Sequence, residues 1–96
     1  QDFLQRVVEH LESIDRSDIE IEASDDHVQC EITGVGTYLI HYQSFKEELW
    51  LSSPQRGAFH FRYEPSQDAW VDTRNPNAPL RDTLNDDLGH ILSLNF

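Results

Sequence analysis

Apolar residues recur along this chain at two periods. Phe3, Leu4, Val7, Val8, Leu11 and Ile14 follow helical spacing and predict an amphipathic helix over 3–15. Glu9, Glu12 and Arg16 take its far side, with Asp15 on the border. From residue 19 the period drops to two. Ile19, Ile21 and Ala23 alternate with Asp18, Glu20 and Glu22, and Val28, Cys30 and Ile32 alternate with Gln29 and Glu31. Further strands are predicted over 37–43, 48–52 and 69–73. Between them, Phe59, Phe61 and Tyr63 alternate with His60, Arg62 and Glu64 in the clearest strand pattern of the chain. Asp25-Asp26, Gly34–Gly36, Ser44–Glu47, Pro54–Gly57 and Pro65–Asp68 supply the turns. Asn75-Pro-Asn-Ala-Pro79 reads as a loop leading into a second helix, with Asn77 as its cap and Pro79 in its first turn. The stripe of that helix is Leu80, Leu84, Leu88, Ile91 and Leu92, weakened late by Gly89.

The predicted order is helix, five or six strands, helix. Short connections between consecutive strands imply an antiparallel meander. Each helix has one apolar stripe, so both most simply cover the same sheet face. The expected fold is α+β, a two-layer sandwich whose other sheet face is open to solvent. Ninety-six residues suffice for a single domain, 1–96, with one core.

The open face carries the first candidate site. Trp50 lies between Leu49 and Leu51, so if the leucines face the core the indole points away from it. With hairpin loops at 44–47 and 53–57, Trp50 falls opposite both His41 and His60. Opposed residues share a face with β-carbons about 5 Å apart, so the three form a row. Gln43 and Arg62 extend it on the same parity. A one-residue slip would break the row. It reads as a partner-binding patch anchored by Trp50 or as a cross-strand stack, and parity alone leaves both open. As a binding patch it would respond near neutral pH, where histidine changes charge.

Charge supplies the second site. Ten of the eighteen acidic residues lie within residues 1–31, against only Arg6 and Arg16, so that third of the chain carries −8 of a net −11. Glu9 and Glu12 are helix neighbours, and Asp18, Glu20 and Glu22 share one strand face. If that strand is at the sheet edge beside the first helix, the two rows merge into an acidic ridge. Such a ridge is either a solvated charged face or a shallow site for hard cations such as Mg²⁺, Ca²⁺, Mn²⁺, Fe²⁺ or Fe³⁺.

Other chemistry finds little support. No basic stripe exists to engage nucleic acid. No apolar run approaches a membrane span. Cys30 is the only cysteine, so no internal disulfide forms, and its core parity suits a buried hydrophobe. The Asp15–Asp26 region lacks an EF-hand's spacing, and no phosphate loop, nucleophile elbow or metal-binding helix motif is present. His10, His27 and His90 read as ordinary surface or flanking residues.

The stretch Gly36-Thr-Tyr-Leu-Ile40, Gln43, Leu49-Trp-Leu-Ser-Ser-Pro54 and Gly57, with the later aromatics Tyr63 and Trp70, resembles frataxin. The element order extends the resemblance over the whole chain, and the Ser-Ser-Pro form is similar to the mitochondrial branch more than the bacterial one. The resemblance implies a small iron-binding protein of iron–sulfur cluster assembly. Its partners would be the complex of cysteine desulfurase and scaffold protein, and its role would be to promote sulfur transfer and iron delivery. It implies weak binding of Fe²⁺ or Fe³⁺ at Glu9, Glu12, Asp15, Asp18, Glu20 and Glu22. It also implies a partner patch of His41, Gln43, Glu48, Trp50, His60 and Arg62, of which Gln43 and Trp50 match the family directly. The expected state is a monomer, with iron-induced oligomers as the alternative, in the mitochondrial matrix or, for a bacterial relative, the cytoplasm. A ferroxidase and iron-storage activity attributed to the family is the alternative reading, though no closed di-iron ligand set is visible. The sequence departs from the mitochondrial pattern at four positions. His41 stands for Asn, Glu48 for Gln, Phe45 for a loop proline and His60 for an arginine.

Overall fold

The structure, a computed structural model, describes residues 2–14 and 16–89. Helix α1, Asp2–Glu12, is followed by β1 (Ile19–Ala23), β2 (His27–Ile32), β3 (Gly36–Gln43), β4 (Glu48–Ser53), β5 (Gly57–Glu64), β6 (Ala69–Asp72) and β7 (Asn75–Pro79). Helix α2, Leu80–Leu84, continues directly into a wider π-helical turn, Asn85–Gly89. The strands form one sheet in sequence order, each antiparallel to the next. This is the expected α+β meander.

The helix-side core gathers the residues that the two periods select. Leu4, Val7 and Leu11 of α1 are buried, as are Val28, Cys30 and Ile32 of β2, Tyr38 and Ile40 of β3, Leu49 and Leu51 of β4, and Phe61 of β5. Leu80, Leu84 and Leu88 close the layer from α2 and the π-turn. Burying each such side chain stabilises the fold by about 1.5–3 kcal/mol. Phe3, Val8 and Ile14 flank the cluster, half-buried. Ile91, Leu92 and His90 of the predicted second helix lie outside the described residues.

The structure corrects the reading of residues 75–79. They form a strand rather than a loop, so among the described residues the sheet has seven strands. The pairing is irregular: Asp72 faces Asn75 while Val71 faces Pro79, with a bulge between. Two prolines are tolerated because β7 is an edge strand and need not complete a ladder on both sides. Asn77 is not the cap of α2. That position falls to Pro79, in extended conformation with no side-chain cap bond, while the Asn75 carboxamide accepts the Asn77 backbone N–H at 3.1 Å.

One close approach fixes the β4–β5 turn against β3. Gly36 has φ +129°, and a β-carbon there would fall 2.7 Å from Pro54 Cβ. Only glycine meets both conditions. Asp87 in the π-turn ties down the same turn. Its carboxylate accepts the Ser53 hydroxyl at 2.9 Å and Arg56 Nη1 at 2.8 Å, with the Asp87 side chain 3 % exposed. Ser53 Oγ in turn accepts the backbone N–H groups of Gln55 and Arg56. The helix layer is thereby locked to the Ser-Ser-Pro segment.

Candidate functional site

The register between strands decides what meets on the open face. His41 pairs with Trp50, and Trp50 pairs with His60. One rung on, Gln43 pairs with Glu48 and Glu48 with Arg62. All six residues are half-buried, so they form one continuous tray rather than scattered protrusions. Trp50 is less exposed than its parity alone suggests. Its indole lies flat on the His60 ring, with centroids 4.2 Å apart and planes 9° from parallel. Its Nε1–H donates to Glu48 Oε1 at 2.9 Å, and the same oxygen is 3.9 Å from His60 Nδ1. Glu48 thus sets the orientation of the Trp50 side chain and lies beside its stacking partner. The cross-strand stack is present, with one indole face covered by His60.

Neighbouring charges frame this tray. Arg62 donates to Glu64 at 2.7 Å, and that bond, with a second from Ser66, holds the Glu64 carboxyl below its ordinary range. Gln43 Oε1 accepts the backbone N–H of Phe45 at 3.3 Å, tying the β3–β4 loop to the open face. Phe45 is 97 % exposed at the tip of that loop.

The register adds His27 to the row, a residue read from sequence as an ordinary turn histidine. It opens β2 directly opposite His41. Its Nδ1 lies 2.7 Å from Ser24 Oγ and 3.1 Å from Asp26 Oδ1, and the other Asp26 oxygen is 3.9 Å from His41 Nε2. Bonds from His27 and Ser24 lower the Asp26 carboxyl. The signal was in the turn length, since a two-residue turn at Asp25-Asp26 forces Ser24 and His27 to face each other.

The acidic residues are arranged less compactly. β1 is at the sheet edge, and α1 contacts β1 and β2 from the core side. Glu20 and Glu22 have the opposite parity to Ile19 and Ile21, which pack against the core. They face the open side, where Glu20 pairs with Glu31. Glu9 and Glu12 are on α1, across the edge strand from them. Asp18 is already engaged: Arg16 donates to both of its oxygens, at 3.0 and 2.7 Å, and thereby lowers its carboxyl. Asp15 lies outside the described residues. Among the described residues no three His, Cys, Asp or Glu side chains converge as a metal-holding group. Glu9, Glu12, Glu20 and Glu22 offer exposed oxygen ligands spread along an edge.

A two-helix layer on a seven-stranded antiparallel meander, with an aromatic tray on the uncovered face, defines a small α+β sandwich among the described residues. Over residues 1–94 the chain matches the frataxin-like domain, and it belongs to the frataxin family. The mitochondrial frataxin of Dictyostelium discoideum is 35 % identical over 69 residues, 72 % of this chain and 35 % of that protein. The iron–sulfur cluster assembly protein CyaY of Thioalkalivibrio sulfidiphilus is 30 % identical over 83 residues, 85 % of this chain and 76 % of that protein. The chain therefore spans about a third of the first relative's length and three quarters of the second's. A trimeric frataxin from the yeast Saccharomyces cerevisiae, solved in complex with ferrous iron, superposes with a TM-score of 0.75 at 30 % identity. That match covers 97 % of this chain and 81 % of the yeast chain.

Proposed function

We propose that this chain acts in iron–sulfur cluster assembly as a single domain. Its open face binds the complex of cysteine desulfurase and scaffold protein and promotes sulfur transfer, and Fe²⁺ or Fe³⁺ is carried weakly by surface carboxylates. The observation that carries the reading is the Trp50–His60 stack held by Glu48, a rigid aromatic anchor within a polar tray. Aromatic anchors surrounded by polar residues are where interface energy concentrates. Membership of a family that includes a protein named for iron–sulfur cluster assembly supports the same reading. His41, Gln43, Glu48, His60 and Arg62 would form the polar part of the contact.

Iron would be cargo rather than a resident cofactor. Glu9, Glu12, Asp15, Asp18, Glu20 and Glu22 supply only oxygen ligands, and Asp18 must give up Arg16 to take part. Exposed carboxylates without a converged shell bind hard cations weakly. The mitochondrial matrix is the proposed location, with the bacterial cytoplasm as the alternative.

A second reading, iron storage with ferroxidase activity, draws on the yeast relative, which is a trimer in complex with ferrous iron. It predicts oxygen consumption and growth of oligomers when Fe²⁺ is added, both abolished by neutralising Glu9, Glu12, Asp18 and Glu20. The main reading is tested by adding the protein to a reconstituted desulfurase–scaffold complex and measuring sulfide release. Wild type is expected to stimulate release and Trp50→Ala to stimulate it far less while keeping the native fold. Equal stimulation by the two proteins removes Trp50 from the contact. Backbone NMR during an Fe²⁺ titration tests the metal: changes confined to residues 9–22 support the carboxylates, and changes at His41 and His60 move the ion to the open face.

A further inference from the structure

Four of the seven basic side chains have a carboxylate partner: Arg16 with Asp18, Arg56 with Asp87, Arg62 with Glu64 and Arg74 with Asp72. Among the described residues the other three, Arg6, Lys46 and Arg81, have none. Eighteen acidic residues compete for seven cations, so two arginines left without a partner are notable in themselves. Arg6 and Arg81 also line the same cavity, of about 580 Å³, between α1, the β5–β6 hairpin and the start of α2. The cavity is on the helix side of the sheet, the face opposite the Trp50 tray.

The described lining also includes the apolar and aromatic side chains of Phe3, Val7, Tyr63 and Trp70, with His10 beside Arg6 on α1. Trp70 and Tyr63 meet edge-to-face, with centroids 5.5 Å apart and planes at 64°. The Tyr63 hydroxyl donates to Asp68, which fixes that ring, and among the described residues Asp68 is the one carboxylate in the lining. Among the described lining residues two fixed positive charges, with His10 beside them, thus stand against one negative charge that already has a donor. The volume falls within the range of small-molecule sites, about 300–1,000 Å³.

We propose that this cavity binds a small phosphate that carries a flat ring, of the nucleoside-phosphate kind. The planar guanidinium forks of Arg6 and Arg81 match phosphate oxygens two at a time. Trp70 and Tyr63 offer aromatic surface for the ring, and base–aromatic stacking is tolerant of base identity. The chain's net charge of −11 repels anions at long range, so an anion held here is held by local contacts.

The test uses the metal-free, full chain and adenosine diphosphate as probe, followed by backbone and indole NMR. Saturable shifts are expected at Arg6, Ala69 and the Trp70 indole, with the Trp50 indole unmoved. Arg6→Gln and Arg81→Gln, both at exposed positions, are each expected to weaken binding about tenfold, the loss of one charge-assisted phosphate contact. Arg6→Glu is expected to abolish it, while thermal unfolding of all three variants stays near wild type. Tripolyphosphate and adenosine are each expected to bind less tightly than the whole probe. Absence of saturation below about 1 mM overturns the proposal. So does unchanged affinity in both glutamine variants. Tripolyphosphate or an acidic peptide binding as tightly as adenosine diphosphate, with Trp70 unmoved, overturns it as well, because it reduces the site to bulk electrostatics.

Discussion

Removing the Asp87 carboxylate separates the helix layer from the Ser-Ser-Pro turn, and the structure gives the size of the effect. Asp87 is almost fully buried and accepts two bonds, from the Ser53 hydroxyl and from Arg56. The bond from Ser53 is buried and charge-assisted, a class that contributes about 1.5–3 kcal/mol. Arg56 is 42 % exposed, so solvent screening limits its share to under about 1 kcal/mol. In Asp87→Ala the Arg56 guanidinium can turn to water, but the buried Ser53 hydroxyl loses its acceptor. Together these give a loss of about 2–4 kcal/mol, a large part of the roughly 5–15 kcal/mol typical of a small domain. At about 4–8 °C per kcal/mol for a chain of this size, the midpoint falls by roughly 8–30 °C. Asp87→Asn keeps the shape and loses the charge, so its cost is about half. The neighbouring Asp86 is exposed, and Asp86→Ala is expected to stay within about 0.5 kcal/mol of wild type. Thermal and urea unfolding, followed by far-UV circular dichroism, measure all three. An Asp87→Ala loss under about 0.5 kcal/mol, or one no larger than that of Asp86→Ala, refutes the clamp.

Other parts of the fold give further expectations. Gly36→Ala must relieve both a positive φ and a 2.7 Å approach to Pro54, and is expected to cost about 2–4 kcal/mol in urea unfolding, with Gly34→Ala, which meets no neighbour, costing less. Burial raises the Cys30 thiol, so it is expected to resist a thiol reagent at pH 8 in the folded protein and to react promptly in urea. Arg16 is the main cause of the lowered Asp18 carboxyl, so Arg16→Gln is expected to raise the Asp18 titration midpoint, read by NMR. Asp18, Asp26 and Glu64 are all lowered by partners in the fold, so the stability they contribute is present above the ordinary carboxylate range of about 4 and is lost as pH falls through their folded values. An acid unfolding curve shifted by Arg16→Gln but not by Arg6→Gln supports that assignment.

Much of this molecule was legible before its structure, for identifiable reasons. The alternation through Phe59, Phe61 and Tyr63 has one reading, and short loops leave one register in which His41, Trp50 and His60 align. Residues 75–79 misled because two prolines in five residues signal a loop, and only an edge position with a bulge lets them pair. The cap of α2 went with them. The reading of Asp87 was beyond sequence reasoning, since its partner Ser53 is 34 residues away and its burial depends on the π-turn. His27 was missed because its neighbour Asp26 draws attention to the turn, whereas the hairpin register carries it into the row. The acidic surface was visible as composition, but its division between α1 and the open face follows from strand parity at the edge, which composition does not express.

On the function proposed above, the uncovered sheet face, not the helix layer, meets the desulfurase–scaffold complex. Backbone hydrogen exchange of the chain, free and with the complex in excess, tests it most directly. Protection is predicted to rise across β3, β4 and β5 around His41, Gln43, Glu48, Trp50, His60 and Arg62, with α1 and α2 unchanged. Protection confined to α1 and α2, with Trp50 and its neighbours exchanging as in the free chain, would contradict the account.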